Sequence, residues 1–232
     1  MIPYGHQWID ENDIKAVTDV LKSDWITQGR KVNEFEHEFA KYVGAKYAVA
    51  VNSGTAALHS ACFAAGISEG DEVITTPITF VASANCIVYQ GGIPVFVDIN
   101  KDTLNIDYHQ IAMKLAKYNE NLKAIIPVDF TGLPADLEEI NKLAKESGLV
   151  VIEDASHALG ATYKGNKIGS ISDMTIFSFH PVKHITTGEG GMVTTNNREY
   201  YERLKLFRTH GITKDKDKMS KYDGGWYYEM QE

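Results

Sequence analysis

The 232-residue chain predicts an α/β fold, a mostly parallel sheet with helices on both faces. Two observations carry this. Short apolar runs alternate with amphipathic segments from about residue 45 to residue 200, and repeated βα units pack as a parallel sheet between helical layers. The run Leu149, Val150, Val151, Ile152 is rich in branched apolar residues, as strands buried on both faces are. Connections between parallel strands are expected to be right-handed.

The elements follow in order. Ile14, Val17 and Leu21, and then Val32, Phe35, Phe39 and Tyr42, recur at helical spacing and predict two opening helices. Residues 47–51 read as a strand and 55–65 as a helix. The next pairs are 72–75 with 80–89, 95–98 with 107–117, and 124–128 with 136–146. A strand at 149–153 closes the regular series. The rhythm then changes: residues 161–168 predict a hairpin turning at Gly165-Asn166. Strands at 175–179 and 191–195 and a helix at 198–207 follow. Residues 213–221 are charged and lack an apolar period, which predicts a mobile loop. The aromatic group Tyr222, Trp226, Tyr227 and Tyr228 beyond it calls for a surface to pack on.

Composition bounds the function. With 44% hydrophobic residues the chain can build one large domain or two small ones. A net charge of -8 disfavours a nucleic-acid binder. It leaves room for an anionic small ligand, because a local site can oppose the overall field. Cys62 and Cys86 sit in apolar segments without metal-ligand spacing. They read as small core residues in a reducing, cytoplasmic protein, and no metal site is expected. The opening residues do not read as a signal peptide. No apolar stretch is long enough for a bilayer, so no membrane partner is expected.

Lys183 carries the most chemical information. It ends Ser178-Phe179-His180-Pro181-Val182-Lys183 and precedes the cluster Gly188-Glu189-Gly190-Gly191. An apolar strand before it and glycines after it can partly desolvate the amine and lower its pKa, as a nucleophilic lysine requires. Upstream, Asp154 ends the apolar run 149–153, at the strand edge where open α/β sheets gather ligands. A carboxylate there can hold a protonated pyridine nitrogen, and a lysine can form an imine with an aldehyde. These are the two groups that pyridoxal phosphate (PLP) requires of a protein. Taken alone, Asp154 also reads as a helix cap.

The remaining candidates are weaker one by one. Asn52-Ser53-Gly54-Thr55 follows a strand and opens a helix, whose N–H groups favour a phosphate. Gly54 permits close approach. Ser178 adds a hydroxyl near the lysine. Phe80 can stack on a planar ring, and His157 can hydrogen-bond a phenolic oxygen. Each has an ordinary structural reading: an N-cap, a strand end, a core aromatic, a satisfied histidine. The Gly188–Gly191 cluster lacks the Lys-Ser/Thr of a phosphate-binding P-loop and reads as a tight turn.

Taken in order, these strings resemble the sugar aminotransferases of the DegT/DnrJ/EryC1/StrS family. The matching stretches include Asn52-Ser53-Gly54-Thr55-Ala56-Ala57-Leu58, Thr76-Pro77-Ile78-Thr79-Phe80, Glu153-Asp154-Ala155-Ser156-His157 and the lysine string above. Thr186-Thr187-Gly188-Glu189-Gly190-Gly191 and Arg208-Thr209-His210-Gly211 also match, so the likeness runs through essentially the whole chain. It implies a fold-type-I PLP-dependent transferase. Residues 1–232 would be its N-terminal segment and PLP-binding large domain, without the family's small C-terminal domain. It implies PLP bound as an imine by Lys183, the acid–base catalyst. Asp154 would sit on the pyridine nitrogen, with Gly54, Thr55 and Ser178 on the phosphate. Phe80 would cover the ring, and His157 would contact the phenolic oxygen.

Tyr4 and Asp24-Trp25-Ile26-Thr27 match a region that approaches the sugar nucleotide in the family. The strings around Asp154 and Lys183 look most like the branch that aminates C4 of UDP-2-acetamido-2,6-dideoxy-β-L-arabino-hex-4-ulose, with L-glutamate as donor. That branch belongs to pseudaminic acid biosynthesis. A homodimer with shared sites is also implied. Two rivals come with the resemblance: a non-catalytic PLP-binding pseudoenzyme or truncated fragment, and a sugar 3-dehydratase, which carries His where this chain has Lys183. An NAD-binding module lacks support, because no G-x-G-x-x-G follows the first strand.

Overall fold

Residues 5–117 and 120–231 are described by the computed structural model. The main sheet contains Tyr47–Val51 (β1), Glu72–Thr75 (β2), Ile93–Phe96 (β3), Leu122–Ile126 (β4) and Val150–Asp154 (β5). A small hairpin of Thr162–Tyr163 (β6) and Asn166–Lys167 (β7) precedes Met174–Ser178 (β8) and Gly191–Thr195 (β9). The order across the seven-stranded sheet is β1-β9-β8-β5-β4-β2-β3. The pairs β3–β2, β2–β4, β4–β5 and β5–β8 are parallel, while β9 runs antiparallel between β8 and β1. The expected mostly parallel sheet is therefore present, with one reversed strand.

Strand residues alternate between two cores, as the period of two requires. Ala48, Ile74, Ile125, Val151, Phe177 and Met192 face one side, under helices Arg30–Val43 (α2), Tyr108–Leu115 (α5) and Leu137–Ser147 (α6). Val49, Val73, Ile126, Ile152, Ile176 and Val193 face the other. Helices Gly54–Ala64 (α3), Ala82–Tyr89 (α4) and Arg198–Arg208 (α7) cover that side. In α3 the small residues Ala57, Ala61, Cys62 and Ala64 let the helix settle closely on the sheet. Cys62 and Cys86 are both free and buried in this core, as expected.

Several sequence expectations shift. The strand expected from Val95 begins at Ile93 instead, with Pro94 paired in register with Val73. It is an edge strand, where the missing proline N–H costs no ladder bond. The strand expected at 124–128 runs as Leu122–Ile126. The hairpin turns at Lys164-Gly165, one residue before the expected place, with φ 48° and 84°, and Asn166 pairs with Tyr163. Two consecutive positive φ values are what a two-residue hairpin turn needs.

The opening helix, Glu11–Leu21 (α1), is present and is closed by a capping box between Asp10 and Asp13. Its apolar positions Ile14, Val17 and Leu21 are exposed, so the amphipathic stripe finds no cover among the described residues. Residues 213–221 are not an unbonded loop. Ile212–Thr213 (β10) pairs with Glu229–Met230 (β11), and a 3-10 turn spans Lys216–Lys218. The Glu229 carboxylate accepts from Ser220 N at 2.8 Å, Ser220 Oγ at 2.7 Å, Lys221 N at 3.2 Å and Tyr227 Oη at 3.0 Å. Periodicity could not reveal this, because the closing contacts are polar. Trp226, Tyr222 and Tyr228 in that segment remain exposed.

Candidate active site

The C-terminal edges of β1, β2, β5 and β8 converge on a cavity of about 410 Å³. That is the edge at which open parallel sheets bind ligands, and the volume suits a small cofactor. The lining includes Gly54, Thr55, Phe80, Asp154, His157, Ser178 and Lys183. Every described residue expected to touch the cofactor thus reaches one hollow. Positions 24–27 do not: Asp24, Trp25 and Ile26 line a separate surface hollow, and Thr27 lines neither. Tyr4 lies outside the described residues.

The N-terminus of α3 enters the cavity. Ser53 caps it, its Oγ accepting from Ala56 N at 3.0 Å. Gly54 matters sterically, since a Cβ there would lie 2.8 Å from Ser178 Cβ. Gly191 matters more, because its Cβ would meet Ser53 O at 2.3 Å. Two glycines therefore let a helix start press against the ends of β8 and β9. They bring free N–H groups and the Ser178 hydroxyl to one place, an arrangement that suits a phosphate.

Asp154 ends β5 and is 5% exposed. Its Oδ2 accepts from Ser83 Oγ at 2.7 Å. Its Oδ1 accepts from Ser156 Oγ at 2.6 Å and Ser156 N at 3.2 Å. Thr79 Oγ1 stands 2.7 Å from Ser83 Oγ and extends the chain. The carboxylate is thereby fixed in orientation while it still lines the cavity.

Lys183 follows β8 in a turn closed by Lys183 N to His180 O at 2.9 Å. The surrounding loop folds on itself: Thr187 N reaches Phe179 O at 3.1 Å and Phe179 N reaches Gly190 O at 2.9 Å. Partial burial lowers the Lys183 pKa from its ordinary value, and the Asp154 charge opposes that shift. The shift favours the free amine, the form that attacks an aldehyde. His157 is likewise lowered by burial first and by Lys183 second, against the pull of Asp154. Phe130 leans on the His157 ring with centroids 6.5 Å apart. Phe80 is 72% exposed at the cavity, leaving its ring face free.

The sequence reading assigned no role to Ser83, Ser156, Thr79 or Phe130. Ser156, within Glu153-Asp154-Ala155-Ser156-His157, offers a signal as a hydroxyl two residues from the carboxylate. Ser83 offered only a polar residue on an apolar helix, 71 residues from its partner. His180, Val182 and Glu189 also line the cavity.

Residues 7–232 match the model of the DegT/DnrJ/EryC1/StrS aminotransferase family. The chain belongs to that family. One DegT/DnrJ/EryC1/StrS relative is the UDP-4-amino-4,6-dideoxy-N-acetyl-β-L-altrosamine transaminase of Campylobacter jejuni, 49% identical over 92% of this chain and 56% of its own length. Among solved structures, Helicobacter pylori PseC is described as an aminotransferase of pseudaminic acid biosynthesis. It superposes with a TM-score of 0.89 at 38% identity, covering 99% of this chain and 59% of PseC. The PLP form of a putative sugar aminotransferase from Streptococcus pneumoniae gives a TM-score of 0.89 at 34% identity over 99% of this chain and 60% of that one. The α/β architecture is thus that of PLP aminotransferases. The chain spans about three-fifths of the length of the curated relatives it matches.

The donor set fits PLP. A hydroxyl-lined helix start suits its phosphate, a hydrogen-bonded carboxylate suits its ring nitrogen, and a partly desolvated amine suits its aldehyde. Among the described residues no cluster of metal-ligating side chains is present, and no helix is long and apolar enough to cross a membrane.

Proposed function

We propose that this chain is the cofactor-binding large domain of a PLP-dependent aminotransferase acting on a nucleotide-linked 4-keto-6-deoxy sugar. One observation carries the reading: Lys183 and Asp154 line the same cavity, together with the N-terminus of α3. Bound PLP supplies an electron sink for the carbon from which a proton departs. Lys183, with its lowered pKa, is the group that takes and returns that proton. Asp154, held by Ser83 and Ser156, keeps the ring nitrogen protonated. Gly54, Thr55 and Ser178 hold the phosphate, Phe80 lies over the ring, and His157 meets the phenolic oxygen.

The likeness to the transaminase and to PseC supports the finer substrate. On this reading the acceptor is UDP-2-acetamido-2,6-dideoxy-β-L-arabino-hex-4-ulose and the donor L-glutamate. Tyr4, Asp24, Trp25, Ile26 and Thr27 belong to the sugar-nucleotide side. A cytoplasmic homodimer completes the proposal. Exposed Val88, Tyr89, Ile93 and Phe96 on α4 and β3 supply apolar surface for it, and two free thiols suit a reducing compartment.

Purified protein mixed with PLP is expected to develop a visible absorbance band that borohydride fixes to Lys183, as located by peptide mass spectrometry. A reducible band that persists in Lys183→Ala would end the reading. Mass spectrometry of products from UDP- and dTDP-linked 4-keto sugars with glutamate tests the substrate. Sedimentation of the purified chain tests the dimer.

A further inference from the structure

Two carboxyl groups meet on the face of β5 opposite Asp154. Glu153 precedes Asp154 in the strand, so the two side chains point to opposite faces of the sheet. Asp129 belongs to the loop after β4, and its backbone N–H donates to Asp154 O at 3.0 Å. Asp129 Oδ1 accepts from Ala135 N at 2.9 Å, and Glu153 Oε2 accepts from Thr175 Oγ1 at 3.0 Å. Both residues are completely buried. Their other oxygens, Asp129 Oδ2 and Glu153 Oε1, have no donor among the described residues.

The groups facing this pair leave it short of positive charge. Asp154, on the other side of β5, is a third carboxylate. Thr175 of β8 and Ser172 just before that strand are neutral hydroxyls. Among the described residues, no Lys, Arg or His forms an ion pair with either acid. The two carboxyl groups lie within hydrogen-bond reach of each other. Two bare carboxylates so placed repel, and burial penalises each charge. A single proton between them removes one charge and satisfies both oxygens.

We infer that Asp129 and Glu153 share one proton at neutral pH and act as a positioning pair, fastening the loop 129–135 to β5 behind Asp154. Burial, then the Glu153 charge, pushes the Asp129 carboxyl well up. Burial raises Glu153 as well. The same loop carries Phe130 to the cavity wall, and Gly132 lies so close to His157 that a Cβ would meet its carbonyl oxygen at 2.7 Å. The pair therefore braces Asp154, Phe130 and His157 together without touching the ligand. Its bearing on Asp154 rests on the cofactor reading above; the proton count does not.

The proton is tested on the protein without cofactor. Infrared spectra near pH 7 are expected to contain a carboxylic-acid carbonyl band that shifts when aspartate carboxyl carbons are isotopically labelled. Asp129→Asn is expected to abolish it. The linkage sign is fixed: the folded Asp129 pKa lies above its unfolded value of about 4. The folded state therefore binds the extra proton, and wild-type stability falls as pH rises through that window. The folding equilibrium constant is expected to fall by up to about tenfold per pH unit relative to Asp129→Asn. As a positioning test, Asp129→Ala is expected to weaken PLP binding about tenfold, with Asp129→Asn restoring most of it. A wild-type spectrum without the band, or parallel pH profiles of wild type and Asp129→Asn, overturns the inference. If Asp129→Asn does not fold, the labelled wild-type spectrum still decides. These spectra and stability profiles are indifferent to whether PLP binds, so failure of the cofactor reading would be seen separately.

Discussion

Ser83 Oγ donates to Asp154 Oδ2 at 2.7 Å, tying helix α4 to the end of strand β5. A hydrogen bond to a charged group contributes about 1.5–3 kcal/mol. Ser83→Ala is therefore expected to weaken PLP binding by about tenfold or more, because the carboxylate loses the donor that aims it. Spectrophotometric titration with PLP measures this, and an unchanged dissociation constant would remove Ser83 from the site.

Gly191 is the tightest point of the cofactor cradle. A methyl group there would meet the backbone of Ser53 and Gly54. Backbone cannot rotate out of the way, so Gly191→Ala is expected to cost about 1–3 kcal/mol of stability and to displace the start of α3. Urea unfolding reads the first effect and loss of the PLP band the second. Full retention of both would mean that the helix start is freer than its packing implies.

Lys183 has a lowered pKa because it is partly buried, and Asp154 holds part of that shift back. Removing the carboxylate charge with Asp154→Asn is expected to lower the Lys183 pKa further. Acylation of Lys183, followed by peptide mass spectrometry across pH, is then expected to rise at lower pH in the variant. An unchanged pH profile would mean that the two groups do not feel each other.

Glu229 has its carboxyl pulled down to about 2, chiefly by Ser220 N–H and then by the Ser220 hydroxyl. A depressed folded pKa means that the closure it makes is fully present above the unfolded carboxylate value. It is lost as pH falls from about 4.5 through about 2. Glu229→Gln is expected to speed amide hydrogen exchange at Ser220 and Lys221 near pH 7 while leaving the thermal midpoint of the sheet domain in place. Unchanged protection at both amides would show that the carboxylate does not hold the segment.

Arg208 illustrates the reach and the limit of motif reading. It stood out within Arg208-Thr209-His210-Gly211, yet that string says nothing of its partners. In the structure its guanidinium pairs with Glu36 of α2 and reaches Ala50 O at 3.0 Å, while Glu36 accepts from Ala50 N at 2.8 Å. Asp154 was legible because it ends a run whose apolar pattern marks its position in the sheet, and Lys183 because it lies between such a strand and a glycine cluster. Ser83 was not, since its partner is distant in sequence and a serine on an apolar helix has many uses. Glu153 was read only as the end of a strand, because a sequence does not state which buried acid lies opposite which.

The chain alone determined the alternation of strands and helices, the buried character of β5, and the residue types able to hold a phosphate, a ring nitrogen and an aldehyde. Those follow from local rules: side-chain periodicity, capping and the chemistry of each group. Tertiary structure alone decided that these residues line one cavity while positions 24–27 do not. It also decided that the apolar stripe of α1 is uncovered, that residues 213–221 close around Glu229, and that Asp129 faces Glu153. The physical reason is that burial and hydrogen bonding depend on distances between residues far apart in the chain, and only packing sets those distances.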